Sequence, residues 1–210
     1  TKRDEEWRFT NLSSIMKLGF QAAPPVDLDV LNMAPFILPE VADSRLVFIN
    51  GVFAPQLSSV TGIANQAFVG NLGQLPLEYQ KRVYNYLAKQ PGSEEVFTSL
   101  NTAGLTDAAV VWLPKNKMVE KPIHLLFIAT QTGVPILTQG RCLVVAESNS
   151  SAEIVEHWVT GEIVCPEALT SHAYLMNTVT EIWVEENAEI HHSRVQRDAG
   201  AAFHIGKTAI

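Results

Sequence analysis

The feature that most constrains this chain is a corner that occurs twice. Val145-Ala146-Glu147-Ser148-Asn149-Ser150-Ser151-Ala152-Glu153-Ile154 and Val184-Glu185-Glu186-Asn187-Ala188-Glu189-Ile190 each leave an apolar strand end, pass an acidic, Asn-bearing turn and enter Ala-Glu-Ile. The two Ala-Glu-Ile triplets lie 36 residues apart. Around them, residues 107–210 consist of short β-branched and aromatic runs: Val110–Leu113, Ile123–Ile128, Cys142–Val145, Ile154–Trp158 and Ile182–Val184. Polar corners separate the runs and no helical period passes through them. Corners recurring at this spacing suit the coils of a β-helix, where each turn stacks its inward side chains on the turn before. A sandwich or jelly roll fits the pattern equally. The last residues, Ala202–Ile210, read as mid-strand and no Met opens the chain, so a fragment of a longer protein is expected.

The first half has another texture. Residues 1–106 hold seven of the 11 prolines, which interrupt any long periodic element. Arg45-Leu46-Val47-Phe48-Ile49-Asn50-Gly51-Val52-Phe53 is a hairpin signal, because Asn and Gly tolerate the positive φ of a tight turn between two apolar runs. Apolar spacing over Leu77–Gln90, stopped by Pro91-Gly92, predicts a helix, and Ser93-Glu94-Glu95-Val96 is the expected cap of another that ends near Gly104. The expectation is an α-rich N-terminal domain over 1–106 with a hairpin near 46–53, followed by an all-β domain over 107–210.

Composition narrows the function classes. With 47% hydrophobic and 18% charged residues, the chain can bury a core and is not a disordered tail. A net charge of −7 argues against direct binding to nucleic acid, whose phosphates call for a basic surface. No apolar run reaches the roughly 18 residues of a membrane span, and the charged start Thr1-Lys2-Arg3-Asp4-Glu5-Glu6 does not read as a secretory signal. Two cysteines, Cys142 and Cys165, exclude a disulfide framework and fit a reducing compartment.

The candidate chemistry is sparse. His191 and His192 look like a metal pair, but neighbours on a strand point to opposite faces. Glu189 and His191 share one face and Ile190 and His192 the other, too few ligands for zinc. His157, His172 and His204 are scattered and expected on the surface or satisfied in the core. Cys142, ahead of Leu143-Val144-Val145, is expected to be buried and inert, and Cys165, ahead of Pro166, to be the more exposed thiol. Two thiolates 23 residues apart do not make a cluster site. No GxxxxGK[ST] loop occurs, and Gly70-Asn71-Leu72-Gly73 lacks the rest of a phosphate-binding motif. Glu153, Glu156, Glu185 and Glu189 would matter as an acid/base pair in a cleft but are expected on a solvated rim, with Trp158 and Trp183 as core or interface anchors. No catalytic or metal-ligating residue is expected.

Several stretches carry a resemblance. Lys2-Arg3-Asp4-Glu5-Glu6-Trp7-Arg8-Phe9-Thr10-Asn11-Leu12, the hairpin Val47–Ser58, Glu120-Lys121-Pro122-Ile123-His124-Leu125 and Glu185-Glu186-Asn187-Ala188-Glu189-Ile190 lie in order along the chain. Together they resemble the SufB/SufD family of iron–sulfur cluster assembly proteins, and the Trp7-Arg8-Phe9-Thr10 start resembles its SufD branch more than SufB. The resemblance implies a right-handed parallel β-helix, incomplete here, with its first coils only. It also implies a non-catalytic scaffold of the cytoplasm or the plastid stroma. The implied partners are a SufB-like paralogue and a SufC-like ABC-type ATPase, bound through regions mostly missing from this chain, with neither nucleic acid nor membrane. A homo-oligomer through the open β-helix end is a further expectation. No cofactor is expected in this portion, a transient iron–sulfur cluster or flavin belonging only to the whole complex. The rival readings are a carbohydrate-active β-helix enzyme and a hexapeptide-repeat acyltransferase, the latter weakened by the lack of a six-residue aliphatic period.

Overall fold

The computed structural model describes residues 7–130, 133–161, 173–198, 200 and 202–210. In chain order the elements are α1 (Ser13–Met16), β1 (Gln21–Ala22), β2 (Arg45–Ile49), β3 (Val52–Phe53), β4 (Phe68–Asn71), α2 (Leu77–Gln80) and α3 (Val96–Ala103). They continue as β5 (Ala109–Leu113), β6 (Met118–Thr130), β7 (Ile136–Ala146), β8 (Ser151–Gly161), β9 (Tyr174–Val184), β10 (Glu189–Arg197) and β11 (Ala202–Ala209). The runs read from the sequence each fall inside one of these strands, which extend further because their polar ends still pair. Among the described residues, six 3₁₀ turns of three residues each punctuate the first 106 positions.

From β5 onward, successive strands alternate between two sheets. One sheet runs β11-β9-β7-β5-β4 and the other β10-β8-β6-β2-β3, with β1 paired to β7. Each of β7 to β11 pairs in parallel with the strand two before it. The antiparallel pairs are β2 with β3 and β4 with β5. Antiparallel layers of the sandwich type are therefore not what residues 107–210 build.

The core lies between the sheets. Alternate residues of both, among them Leu46, Phe48, Val111, Leu125, Phe127, Cys142, Val144, Ile154, Trp158, Met176 and Ile182, form one buried cluster. Their period of two follows from the strand pleat. Phe48 stacks on Phe127, and Phe127 on Trp158 with ring centroids 3.9 Å apart. A Cβ on Gly140 would lie 2.3 Å from the Trp158 ring, so this position has room only for hydrogen.

The N-terminal half covers the outer faces instead of forming a helical unit. The expectation of an α-rich region over 1–106 is corrected: α1 and α2 have four residues each and α3 eight. The helix expected over Leu77–Gln90 stops after Gln80 and resumes as a 3₁₀ turn at Val83–Asn85. Tyr79 and Tyr86 pack on Trp112, and Ala88 turns into the left-handed region at φ 58°. Those contacts outweigh the helix propensity of a short segment. The cap of α3 is Glu95, not Ser93: its carboxylate accepts from the Phe97 and Thr98 amides and from Trp7 Nε1 at 2.7 Å. The hairpin forms as expected, with Asn50 and Gly51 both at positive φ.

The repeated corner is real, but its register is not that of the Ala-Glu-Ile triplets. Glu189 pairs with Ser151 and Ile190 with Ala152, which aligns Asn187 with Asn149, 38 residues apart. Asn116, Asn149 and Asn187 all adopt positive φ, at 60°, 58° and 56°. Their amides form a ladder, Asn187 Nδ2 donating to Asn149 Oδ1 at 3.3 Å and Asn149 Nδ2 to Asn116 Oδ1 at 3.0 Å. Asn tolerates the left-handed turn and satisfies its neighbour, so it is this residue that is stacked.

Candidate functional site

Toward β10 and β11 the interior between the sheets changes from apolar to polar. Ile154, Glu156 and Trp158 share the inward face of β8, and that parity buries Glu156 completely. This overturns its expected place on a solvated rim, whereas Glu153, Glu185 and Glu189 are exposed as expected. Glu156 accepts from Trp158 Nε1 at 2.6 Å, Thr180 Oγ1 at 2.6 Å and His192 Nε2 at 3.1 Å, and Arg194 Nη1 lies 3.4 Å away. Burial pushes the carboxyl pKa up, but His192, the Arg194 charge and the Thr180 hydroxyl together outweigh it, and the net shift is downward.

The network continues to the other sheet. Arg194 lies over the Trp158 ring at 5.3 Å and donates from Nη2 to Thr178 Oγ1 at 2.5 Å and to His204 Nε2 at 2.8 Å. His204, its Nε2 thus an acceptor, carries its proton on Nδ1 and donates to Asp198 Oδ2 at 3.0 Å. Asp198 also accepts from Tyr174 at 3.0 Å. Its carboxyl is raised by burial but lowered more by His204 and Tyr174. A Cβ on Gly206 would lie 2.4 Å from Arg194 Nη2, so the guanidinium rests directly on the β11 backbone.

These carboxylates are saturated with donors and held ionised. A general acid needs a raised pKa and a general base a free lone pair facing a cleft. Glu156 has neither, its lone pairs being taken up by Trp158, Thr180, His192 and Arg194.

The histidine pair separates as the strand rule requires. His191 points outward to Glu189 at 3.0 Å, both exposed, and His192 points inward to Glu156. Among the described residues no group of three or more His, Cys, Asp and Glu is arranged to hold a metal ion. Cys142 is buried, and desolvation followed by the Glu156 and Glu181 charges pushes its thiol well above the ordinary value. Cys165 and His172 lie outside the described residues. His157 departs from the expectation: it is buried with His124, ring nitrogens 3.4 Å apart, and its Nε2 has no partner.

Sequence reasoning missed Arg194, Asp198, Thr178 and Thr180, which are remote from Glu156 in sequence. Glu156 was findable, since i, i+2 alternation with Ile154 and Trp158 places it inward. A second buried pair, Arg141 and Glu181 at 2.5 Å, sits on the outer face beneath α3. Glu181 also accepts from the Ala88 and Lys89 amides, and Arg141 also donates to Asn101 Oδ1, which ties the N-terminal cover to the sheet.

Fold and site together define a protein of stacked parallel strands whose buried charges are paired with one another. Residues 1–125 match the family model for the SufBD protein N-terminal region, and residues 127–210 that for the SufBD core domain of SUF-system FeS cluster assembly. The chain belongs to the SufB/SufD family. It is 44% identical over 209 residues to the iron–sulfur cluster assembly SufBD family protein slr0076 of Synechocystis, covering all of this chain and 46% of that protein. It is 26% identical over 217 residues to the chloroplastic protein ABCI7 of Arabidopsis thaliana, covering 43% of it. The chain thus spans less than half the length of these curated relatives. Among the described residues no helix is long and apolar enough to cross a membrane.

Proposed function

We propose that this chain is the N-terminal part of a SufD-like scaffold subunit that works without catalysis in iron–sulfur cluster assembly. In this reading residues 107–210 are the first coils of a right-handed parallel β-helix, and residues 1–106 are the N-terminal region that adds β1 to β4 to its sheets and covers its outer faces. The partners are a SufB-like subunit and a SufC-like ABC-type ATPase, and the setting is the cytoplasm or plastid stroma. The observation that carries it is the alternation of parallel strands between two sheets, locked by the Asn116–Asn149–Asn187 ladder, within a chain of this family. The saturation of Glu156 supports a structural role. Iron, sulfide or an assembled cluster would be cargo of the complex. The test is co-expression of the full-length protein with a SufB-like and a SufC-like subunit from one genome, followed by affinity purification. A stoichiometric ternary complex is expected. Recovery of the tagged protein alone, folded and monodisperse, would overturn the assignment.

A further inference from the structure

The outer face of the second sheet holds a row of polar groups that the scaffold reading does not use. Arg45 on β2 lies directly across from His124 on β6, and His124 Nε2 lies 3.4 Å from Nδ1 of His157 on β8. His124 is fully buried and His157 4% exposed. Arg45 Nη1, His124 Nδ1 and His157 Nε2 are all buried without a hydrogen-bond partner. Buried polar groups are nearly always paired, and an adjacent set of orphans marks a missing partner.

The charge around the row says what that partner is. Arg45 keeps one bond, from Nε to the Leu57 carbonyl at 3.3 Å, and pairs with no carboxylate among the described residues. The charges that act on the imidazoles are cationic, Arg45 on His124 and Arg197 on His157. The nearest acid in sequence, Asp43, is closed on Lys121 at 2.7 Å. Arg45 is half-buried and only its Nη1 is enclosed; a water molecule there would satisfy the N–H, whereas an anion supplies both acceptor and counter-charge. Val47, Leu126 and Val159 on the same outer face belong to a buried apolar cluster.

We propose that Arg45 Nη1 and His124 Nδ1 form a binding site for a small inorganic anion of the size of chloride. The bound anion selects the tautomer in which His157 Nδ1–H donates to His124 Nε2, so that His124 Nδ1–H joins Arg45 in donating to the ion. In this tautomer both imidazoles are neutral, so Arg45 alone supplies the counter-charge to the ion.

The experiment is thermal unfolding of the full chain in sodium chloride against sodium gluconate at equal ionic strength, at pH 7.5 and 5.5. Gluconate is too large to enter. A saturable rise in Tm of about 2–4 °C in chloride is expected. It is absent in R45Q and retained in R45K. Equal Tm values in the two salts at both pH values, as water alone at the row would give, overturn the proposal. So does a chloride response unchanged in R45Q. Should R45Q fail to fold, imidazole 15N shifts of the wild-type protein decide: chloride titration is expected to move His124 Nδ1, and an unmoved signal overturns the site.

Discussion

The Arg141–Glu181 pair offers the sharpest energetic test of how the N-terminal cover is held. Both side chains are at most 2% exposed, with Nη2 and Oε2 2.5 Å apart. Arg141→Met leaves Glu181 ionised in a buried site with two amides as its remaining donors, at a cost of about 3–5 kcal/mol. Glu181→Leu strands the Arg141 cation by a similar amount. It also orphans the Ala88 and Lys89 amides, at roughly 1–3 kcal/mol each. The double variant holds no uncompensated charge, so only the amide loss remains. Urea unfolding of the four proteins should therefore give a coupling that approaches the sum of the two stranding costs, about 6–10 kcal/mol, the double variant being more stable than the sum of the singles predicts. Additivity within about 0.5 kcal/mol would refute the reasoning, because it would mean that water already screens the pair.

Other outcomes follow from single positions. His124 is lowered to about 4 by burial, by His157 and by Arg45, against an unfolded value near 6.5. The unfolded chain binds the extra proton, so in gluconate buffer about 3 kcal/mol present above pH 6.5 is lost as pH falls toward 4, and H124L should flatten that slope in urea titrations. Ala88 holds a left-handed backbone at φ 58°, so A88G should be neutral or stabilising by up to about 1 kcal/mol in thermal unfolding, and a clear loss would contradict the strain. Replacing Asn149 with Ala breaks the ladder on both sides and forces Ala into the left-handed turn, costing about 2–3 kcal/mol by denaturation, with N149G losing less.

Much of the β region was legible because its signals are local. Short β-branched and aromatic runs between polar corners marked β5 to β9, Asn50-Gly51 marked the hairpin, and strand parity separated His191 from His192. What was not legible depends on contacts between distant segments. The Leu77–Gln90 pattern looked helical until Trp112 and Glu181 drew Tyr86 and Ala88 out of a helix. Ser93 is a good cap by type, yet Glu95 takes the role because it also receives the Trp7 indole. The triplets suggested a period of 36, whereas the stacked Asn residues lie 33 and 38 apart, since a ladder selects the residue that can bond to its copy and take positive φ. Arg194 and Asp198 carried no sequence signal, because what gathers them around Glu156 is the pairing of β10 with β8 and β11 with β9.

The central claim is that the donors gathered inside the stack hold the buried Glu156 carboxyl ionised. Carbon-13 detection of the Glu156 carboxyl across pH measures this directly. The carboxyl should stay ionised to below its ordinary value of 4.5, since its donors outweigh burial. A midpoint above 4.5, as a proton-donating carboxyl would show, would contradict the account.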